Sequence, residues 1–397
     1  METVEAIQIF AQGEDSRNQF KKNFNNIEAL SIELIAFSNT LGGKIFVGVD
    51  DDGSVAGLSV DDVQRINQLL SNASSQNVKP AINPLTEIIM IDGLRVLIIH
   101  VPKGMNKPYQ DKNGVIWVKS GADKRRATSR EEIQRLFQQS GMVHADVIPA
   151  NGMTVSDLDI PYFKTFFLKR YGKSLDEQQI PLDQLVTNLN LGENGNLNIT
   201  GALLFSDSPA IRLPAYIVKA AAFPGTRITT ETYIDSRDIT GKLSDIFQRT
   251  IGFLLDNIKG IQGEQGINSL GEPEIPKIVF EELITNALIH RDYFILAPIR
   301  VFVFSDRIEI ISPGHLPNNL TIENIKAGNS NIRNPVLASF AYQILPYRGF
   351  GSGILRALEN YPDIEFVDDR EGNLFKCVIE RKAYRTEVRK EIESKRL

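Results

Sequence analysis

The sequence predicts a mixed α/β (α+β) protein of two bodies, an N-terminal domain over residues 1–140 and a larger α/β body after it. Three observations carry that prediction. Runs with helical spacing alternate along the chain with short β-branched runs. Strong hairpin signals stand in both halves: Thr86–Ile91 and Leu94–Val101 about Asp92-Gly93, and Ile299–Phe304 and Arg307–Ile311 about Ser305-Asp306. Residues 141–150 follow neither period and read as a linker.

Composition narrows the classes. The 397 residues allow two or three domains, and 42% hydrophobic with 23% charged residues is ordinary for a globular chain. The formal net charge of −5 excludes a polybasic binder, so nucleic-acid contact would need a local patch. A single cysteine, Cys377, excludes a disulfide framework and a Cys-built zinc site and fits a reducing compartment. The four histidines lie far apart, which argues against a His-rich metal site. No signal-peptide pattern and no membrane-length apolar run is present, so a cytoplasmic protein of bacterial style, with no membrane partner, is expected.

Within residues 1–140, a helix is expected from Ile27 to about Thr40, stopped by Leu41-Gly42-Gly43. Lys44–Val49, the turn Asp50–Gly53 and Ser54–Leu58 read as strand, turn and returning strand. Asp61–Ala73 reads as a second helix, and Pro108–Gln110 and Val115–Lys119 as β pieces. Ser129–Phe137 starts with a hydroxyl cap and acid in its first turn, so it reads as a helix. The acidic run Asp50–Asp52 reads as a solvated turn. Lys119, Lys124, Arg125 and Arg126 form a basic group that is either a solvated loop or a loop contacting phosphates. Trp117 beside it reads as core.

Residues 150–275 form a middle α/β region, expected to pack with the C-terminal region from 276 onward. Helices are expected at Val155–Tyr171, Pro181–Leu189 and Leu243–Ile258, strands at Thr200–Phe205 and Ala215–Ala222, and a loop or hinge over Gly260–Gly271. Over 276–380 the pattern predicts a helix Lys277–Ile289, the second hairpin, short helices starting at Thr321 and Val336, a helix Ile354–Tyr361, and a closing hairpin around Asp369–Gly372. The charged stretch 381–397 reads as a solvated helix or frayed tail.

Chemistry concentrates between 276 and 361. Glu282, Asn286 and His290 stand four residues apart, which places them on one helix face opposite an apolar one. A carboxylate can activate water, and an asparagine carbonyl suits Mg²⁺. Gly349, Gly351 and Gly353 precede a helix, where backbone N–H groups and the helix dipole favour a phosphate. His290 reads as structural, Arg291 and Asp292 as a pair, and Arg348 as either a phosphate contact or an exposed side chain. No Walker A loop is present.

Two resemblances sharpen this reading. Phe20-Lys21, Ile35–Ile45, Gly48–Gly53, Trp117–Ala122 and Glu131–Ile133 together resemble the AlbA_2 (Schlafen AlbA-type) domain over roughly residues 10–140. The resemblance implies a nucleic-acid-binding α/β domain. In Schlafen relatives the same fold carries carboxylate-dependent nuclease activity. Glu14 and scattered acids here match no catalytic set residue by residue. The order Glu-x-x-x-Asn helix, hairpin, Gly-containing loop and Gly-x-Gly-x-Gly resembles the GHKL ATPases. Glu282–Tyr293, Arg307–Gly314 and Arg333–Pro335 resemble the GHKL-like part of bacterial AlbA_2 regulators, often labelled helicase-related, and Asn198–Phe205 resembles their middle region.

The resemblance implies a site for ATP and Mg²⁺ in a GHKL-like sandwich. In it Glu282 activates water, Asn286 holds the metal, and Gly349, Gly351 and Gly353 cradle phosphates. Ser312 and Gly314 occupy the place of the adenine-reading Asp-x-Gly, and serine is the weaker reader. Relatives often continue into a winged helix-turn-helix, which leaves DNA contact in these residues to the N-terminal domain. The expected function is a DNA-binding transcriptional regulator with a nucleotide site, with homodimer formation frequent among GHKL relatives. An ATPase or Schlafen-like nuclease acting on nucleic acid, and a non-enzymatic scaffold, are the alternatives.

Overall fold

A computed structural model describes residues 1–229, 231–261, 271–317, 320–347, 349 and 351–381. They divide into two compact units between residues 143 and 144. Arg348, most of the Gly260–Gly271 stretch and residues 382–397 of the charged tail lie outside the described residues.

The first unit runs α1 (Thr3–Gln12), β1 (Asn18–Lys21), α2 (Ile27–Asn39), β2 (Gly43–Val47), α3 (Val60–Asn72), β3 (Leu85–Ile91), β4 (Leu94–Val101), β5 (Trp117–Ser120), β6 (Asp123–Arg126) and α4 (Arg130–Gln139). Its sheet has the order β1-β2-β4-β3. β1 and β2 are parallel, joined through α2, while β4 is antiparallel to both neighbours. Both faces are covered, which is why the middle of β4, Val96–Ile99, is an unbroken, fully buried apolar run. Leu97 and Ile99 face the core of α2 and α3, with Leu30, Leu34 and Phe37. Val96 and Ile98 face α1, where Phe10 meets Phe20 and Phe46 edge-on at 5.3 and 5.1 Å. The Asp92-Gly93 turn has both residues at positive φ, as a two-residue hairpin requires.

The Ser38-Asn39-Thr40 segment at the end of α2 owes its identity to one buried amide. Asn39 Nδ2 donates to the carbonyls of Tyr109 (2.7 Å) and Trp117 (2.9 Å), and its Oδ1 accepts from Tyr109 N at 2.7 Å. This amide ties β5 to α2, and Trp117, half-buried, packs on that core.

The second unit comprises β7 (Pro149–Thr154), α5 (Ile160–Tyr171), α6 (Leu182–Asn188), β8 (Gly192–Glu193), β9 (Asn196–Asn198), α7 (Ile199–Phe205), β10 (Val218–Ala222), β11 (Asp235–Ile239), α8 (Leu243–Asp256), β12 (Gly260–Ile261) and β13 (Glu272–Pro273). It continues with α9 (Lys277–His290), β14 (Ile299–Val303), β15 (Arg307–Pro313), α10 (Ile322–Lys326), α11 (Pro335–Ile344), α12 (Ser352–Asn360), β16 (Ile364–Asp369) and β17 (Leu374–Glu380). Its main sheet, β11-β10-β14-β15-β17-β16, joins the middle region to the C-terminal region through the parallel pair β10–β14. In β14, Ile299, Val301 and Val303 are buried between the more accessible Arg300 and Phe302. That is the alternation of a sheet with helices on one face. Among the described residues no helix is long and apolar enough to cross a membrane.

Several local expectations are corrected. Thr200–Phe205 lies in a helix, α7, not a strand. Asn198 caps it by accepting from Gly201 N at 2.8 Å, and all seven residues are buried, so the run carries no period to read. Ser54–Leu58 forms no strand beyond a bridge between Val49 and Val55. The helix expected over Val155–Tyr171 starts at Ile160, because Asp159 caps it through Tyr162 N. The basic run Lys124–Arg126 lies in a strand, β6, rather than a loop.

The linker 141–150 contains an anchor. Asp146 is fully buried and its Oδ2 accepts from Val336 N and Leu337 N, at 2.7 and 3.0 Å, at the start of α11. Arg381, the first residue of the expected tail, is buried and bonds Glu274 and the Phe304 carbonyl. β1, β11 and α1 stand where the sequence pattern predicts no element.

Asn39→Ala leaves the three backbone groups on Tyr109 and Trp117 without their partner. We expect it to destabilise the first unit by about 2–4 kcal/mol, read from urea unfolding followed by Trp117 fluorescence.

Candidate functional site

α9 forms because Lys277–His290 contains no breaker after Pro276, which sits at its N-cap. The helix is not the surface amphipath that spacing suggests. Val279, Phe280, Leu283, Ile284, Leu288 and Ile289 are all buried, and so is Glu282, whose side chain is 7% exposed. Its polar stripe faces a cavity within the second unit. The cavity of about 110 Å³ far exceeds the roughly 10–15 Å³ that admits one water.

Glu282, Asn286 and His290 line one wall of this cavity, and Gly349, Gly351, Ser352 and Gly353 line another. Gly351 is the N-cap of α12 in left-handed conformation (φ 72°), and a Cβ there would fall 2.0 Å from the Gly328 carbonyl oxygen. A Cβ on Gly353 would fall 2.7 Å from Glu282 Oε2 and 3.2 Å from Asn286 Nδ2. Glycine at 353 therefore lets the start of α12 close directly onto the polar stripe of α9. The two motifs, about sixty residues apart in sequence, form one site.

Charges and donors in the site are unevenly satisfied. Glu282 Oε1 pairs with Arg356 Nη1 at 2.9 Å, and Arg356 Nη2 donates to Ser352 Oγ at 3.3 Å. Asn286 Nδ2 is buried with no hydrogen-bond partner among the described residues. Half a turn of the amide would place its oxygen there instead. Burial lowers the His290 imidazole to about 4, and the nearby Arg333 guanidinium acts in the same sense. His290 is therefore neutral near pH 7.

At the far end lie Ser312 and Gly314. Ser312 is buried and its Oγ donates to the Ala287 carbonyl at 3.3 Å, which leaves its lone pairs as acceptors. Gly314 is closely surrounded by Arg333 and Asp292. Arg291 does not bond Asp292 as expected. Its Nη2 donates to the carbonyls of Ile295 and Ala297, and Asp292 Oδ1 instead accepts from Phe294 N.

The basic group of the first unit lies on the hairpin β5–β6. Lys119 is buried, lies over the Phe37 ring, and donates to Gln19 Oε1 at 2.5 Å and to the Ala122 carbonyl; burial lowers its ammonium. Lys124 pairs with the buried Glu33. Arg125 makes a two-pronged contact with Glu132 at 2.9 and 2.6 Å. Arg126 is exposed with its guanidinium 5.2 Å from the Trp117 ring centre. Beside them Glu14 accepts from Phe20 N at 2.7 Å and from Gln19, with Lys21 at 3.7 Å. No three His, Cys, Asp or Glu side chains among the described residues group so as to hold a metal ion.

Sequence reasoning missed Arg356 and Gln19. Arg356 stands one turn beyond Gly353 on the same helix, a spacing visible in the sequence. Its partner Glu282 becomes apparent only after folding.

The folded His290 value lies below its unfolded value near 6.5, so the stability it contributes is present above pH 6.5 and lost as pH falls toward 4. His290→Gln should flatten that part of the acid-side decline, as measured by urea unfolding at pH 7.5, 6 and 5. An unchanged slope in the variant would refute this assignment.

Residues 14–128 match the family described as "Schlafen, AlbA_2", and residues 297–370 match "Putative ATP-dependent DNA helicase recG C-terminal", an ATPase-like (HATPase_c_4) family. The second match takes in Ser312, Gly314, the glycine turn and Arg356, but begins after α9. No curated protein matches the chain. Among solved structures, the DIP2311 protein of Corynebacterium diphtheriae is 20% identical, covering 95% of this chain and 80% of its own, with TM-score 0.44. The N-terminal domain of a RecG-related protein from Nitrosomonas europaea is 23% identical, covering 33% and 97%, with TM-score 0.24. TM-scores this low add nothing to the fold. The two family matches show an AlbA_2 region in the first unit and a RecG-related, ATPase-like region in the second.

Proposed function

We propose that the chain is a nucleic-acid-associated regulator, with a nucleotide site in the α9–α12 cavity and a DNA contact on the first unit. The observation that carries the nucleotide site is the convergence at Gly353. There an unpartnered buried amide (Asn286), a buried carboxylate (Glu282) and the open start of α12 meet in one cavity.

The residues fit ATP with Mg²⁺. The N–H groups at the start of α12 and the turn through Gly349 and Gly351 would hold phosphates. Asn286, with its amide turned, would hold the metal, and Ser312 with Gly314 would meet the base, Ser312 as an acceptor for an exocyclic amino group. ATP would supply a phosphoanhydride bond. Turnover is the second reading, and Glu282 favours it, because its carboxylate borders the phosphate end of the cavity.

The DNA reading rests on the AlbA_2 match and on β6. Arg126 is the exposed member of the basic group that has no acidic partner among the described residues, its guanidinium lying over the Trp117 ring, while Lys119, Lys124 and Arg125 are engaged by Gln19, Glu33 and Glu132.

Thermal unfolding with MgATP and MgADP tests the nucleotide site. A ligand that binds only the folded state stabilises by about 2.7 kcal/mol at a hundredfold excess over its Kd. The midpoint should rise, and Asn286→Ala should shrink the rise with Mg²⁺ present. No shift at millimolar nucleotide overturns the reading.

For DNA, Arg126→Gln should weaken binding and lower the salt slope by about one. Lys119→Gln should instead lower the midpoint of unfolding, because Lys119 is an internal strut. Equal affinity of wild type and Arg126→Gln across a salt titration would remove Arg126 from the interface.

A further inference from the structure

We propose that Arg356 is a phosphate-responsive latch on Glu282: it holds the carboxylate while the site is empty and moves to the terminal phosphate of a bound nucleoside triphosphate. The proposal rests on the nucleotide reading above and concerns what distinguishes a triphosphate from a diphosphate in that cavity.

Geometry supports it. Arg356 lies one turn into α12, and helical side chains lean toward the N-terminus. Its guanidinium therefore covers the first turn of α12, and both that turn and Arg356 line the cavity. One Nη reaches Glu282 at 2.9 Å while the other reaches Ser352 Oγ at 3.3 Å, so the fork bridges α9 and the glycine turn. Exposure is unequal: the Arg356 side chain is 32% exposed and Glu282 only 7%. The guanidinium has room to move, while the carboxylate is held by its helix.

Charge supplies the direction. A carboxylate carries at most one negative charge, whereas a terminal phosphate carries more on three acceptor oxygens, and guanidinium matches both chemistries in two-pronged fashion. A phosphate seated at the start of α12 would compete with Glu282 for Arg356. Transfer would strengthen triphosphate binding and part Arg356 from Glu282 Oε1. A diphosphate lacks the competing group and leaves the pair intact.

The test is titration calorimetry of the full chain with MgADP and with the Mg²⁺ complex of β,γ-imido-ATP, for wild type, Arg356→Gln, Arg356→Lys, Glu282→Gln and the double variant Arg356→Gln with Glu282→Gln. Unfolding midpoints without ligand check that each variant is folded. Arg356→Gln should lose about tenfold or more in affinity for the triphosphate analogue, the worth of one charged hydrogen bond, and little for MgADP. Arg356→Lys should recover part of that loss. Glu282→Gln removes the competitor and should tighten analogue binding, but not in the Arg356→Gln background.

Equal losses for both ligands, or a Glu282→Gln variant with an unchanged triphosphate-to-diphosphate ratio, would overturn the latch and leave a static ion pair, with the nucleotide reading intact. Wild type that binds neither ligand would overturn both.

Discussion

The candidate site depends on how closely one helix can approach another. α12 begins against the polar stripe of α9, and a Cβ at residue 353 would fall 2.7 Å from Glu282 Oε2, so that carboxylate would have to shift to admit one. A methyl group there would meet the Glu282 carboxylate and the Asn286 amide. Either those two side-chain ends or the glycine turn would have to shift, and the contact between the stripe and α12 would change. The same approach sets the electrostatics, because it brings Arg356 within reach of Glu282. A buried carboxylate without a partner would be costly, and one with a guanidinium at 2.9 Å is tolerable.

α9 can carry this polar stripe because the rest of it is so well enclosed. Its remaining faces pack into the core of the second unit, which extends through α8, α11 and the main sheet. An unmet buried donor such as Asn286 Nδ2 costs on the order of 1–3 kcal/mol, a load that several buried apolar side chains on one helix can outweigh. The apolar face thus provides the stability and the stripe the chemistry.

The first unit follows a different logic. Asn39 ties the Tyr109 segment and β5 to α2, and Lys119 is bound to Gln19 and the Ala122 carbonyl. Lysines and arginines close in sequence do not make a basic surface when acids from α2 and α4 fold against them. Glu33 and Glu132 neutralise Lys124 and Arg125, and the outward charge of the strand narrows to Arg126.

Chemistry that acts within a few residues is legible in the amino-acid order. Asp92-Gly93 requires a tight turn, the spacing of Glu282, Asn286 and His290 requires a shared helix face, and the three glycines before 354 require an open helix start. Each follows from local backbone geometry. The order of residues is silent or misleading wherever the deciding partner lies far along the chain. Residues 200–205 read as a strand because a fully buried helix of one or two turns shows no period. Residues 141–150 read as a linker because the acceptor role of Asp146 is defined by a helix start nearly two hundred residues away. The burial of Lys119, the pairing of Glu282 with Arg356 and the closeness of Gly353 to α9 belong to the folded chain. Coulomb forces, hydrogen bonds and steric limits act over a few ångströms of space, and only folding sets those distances.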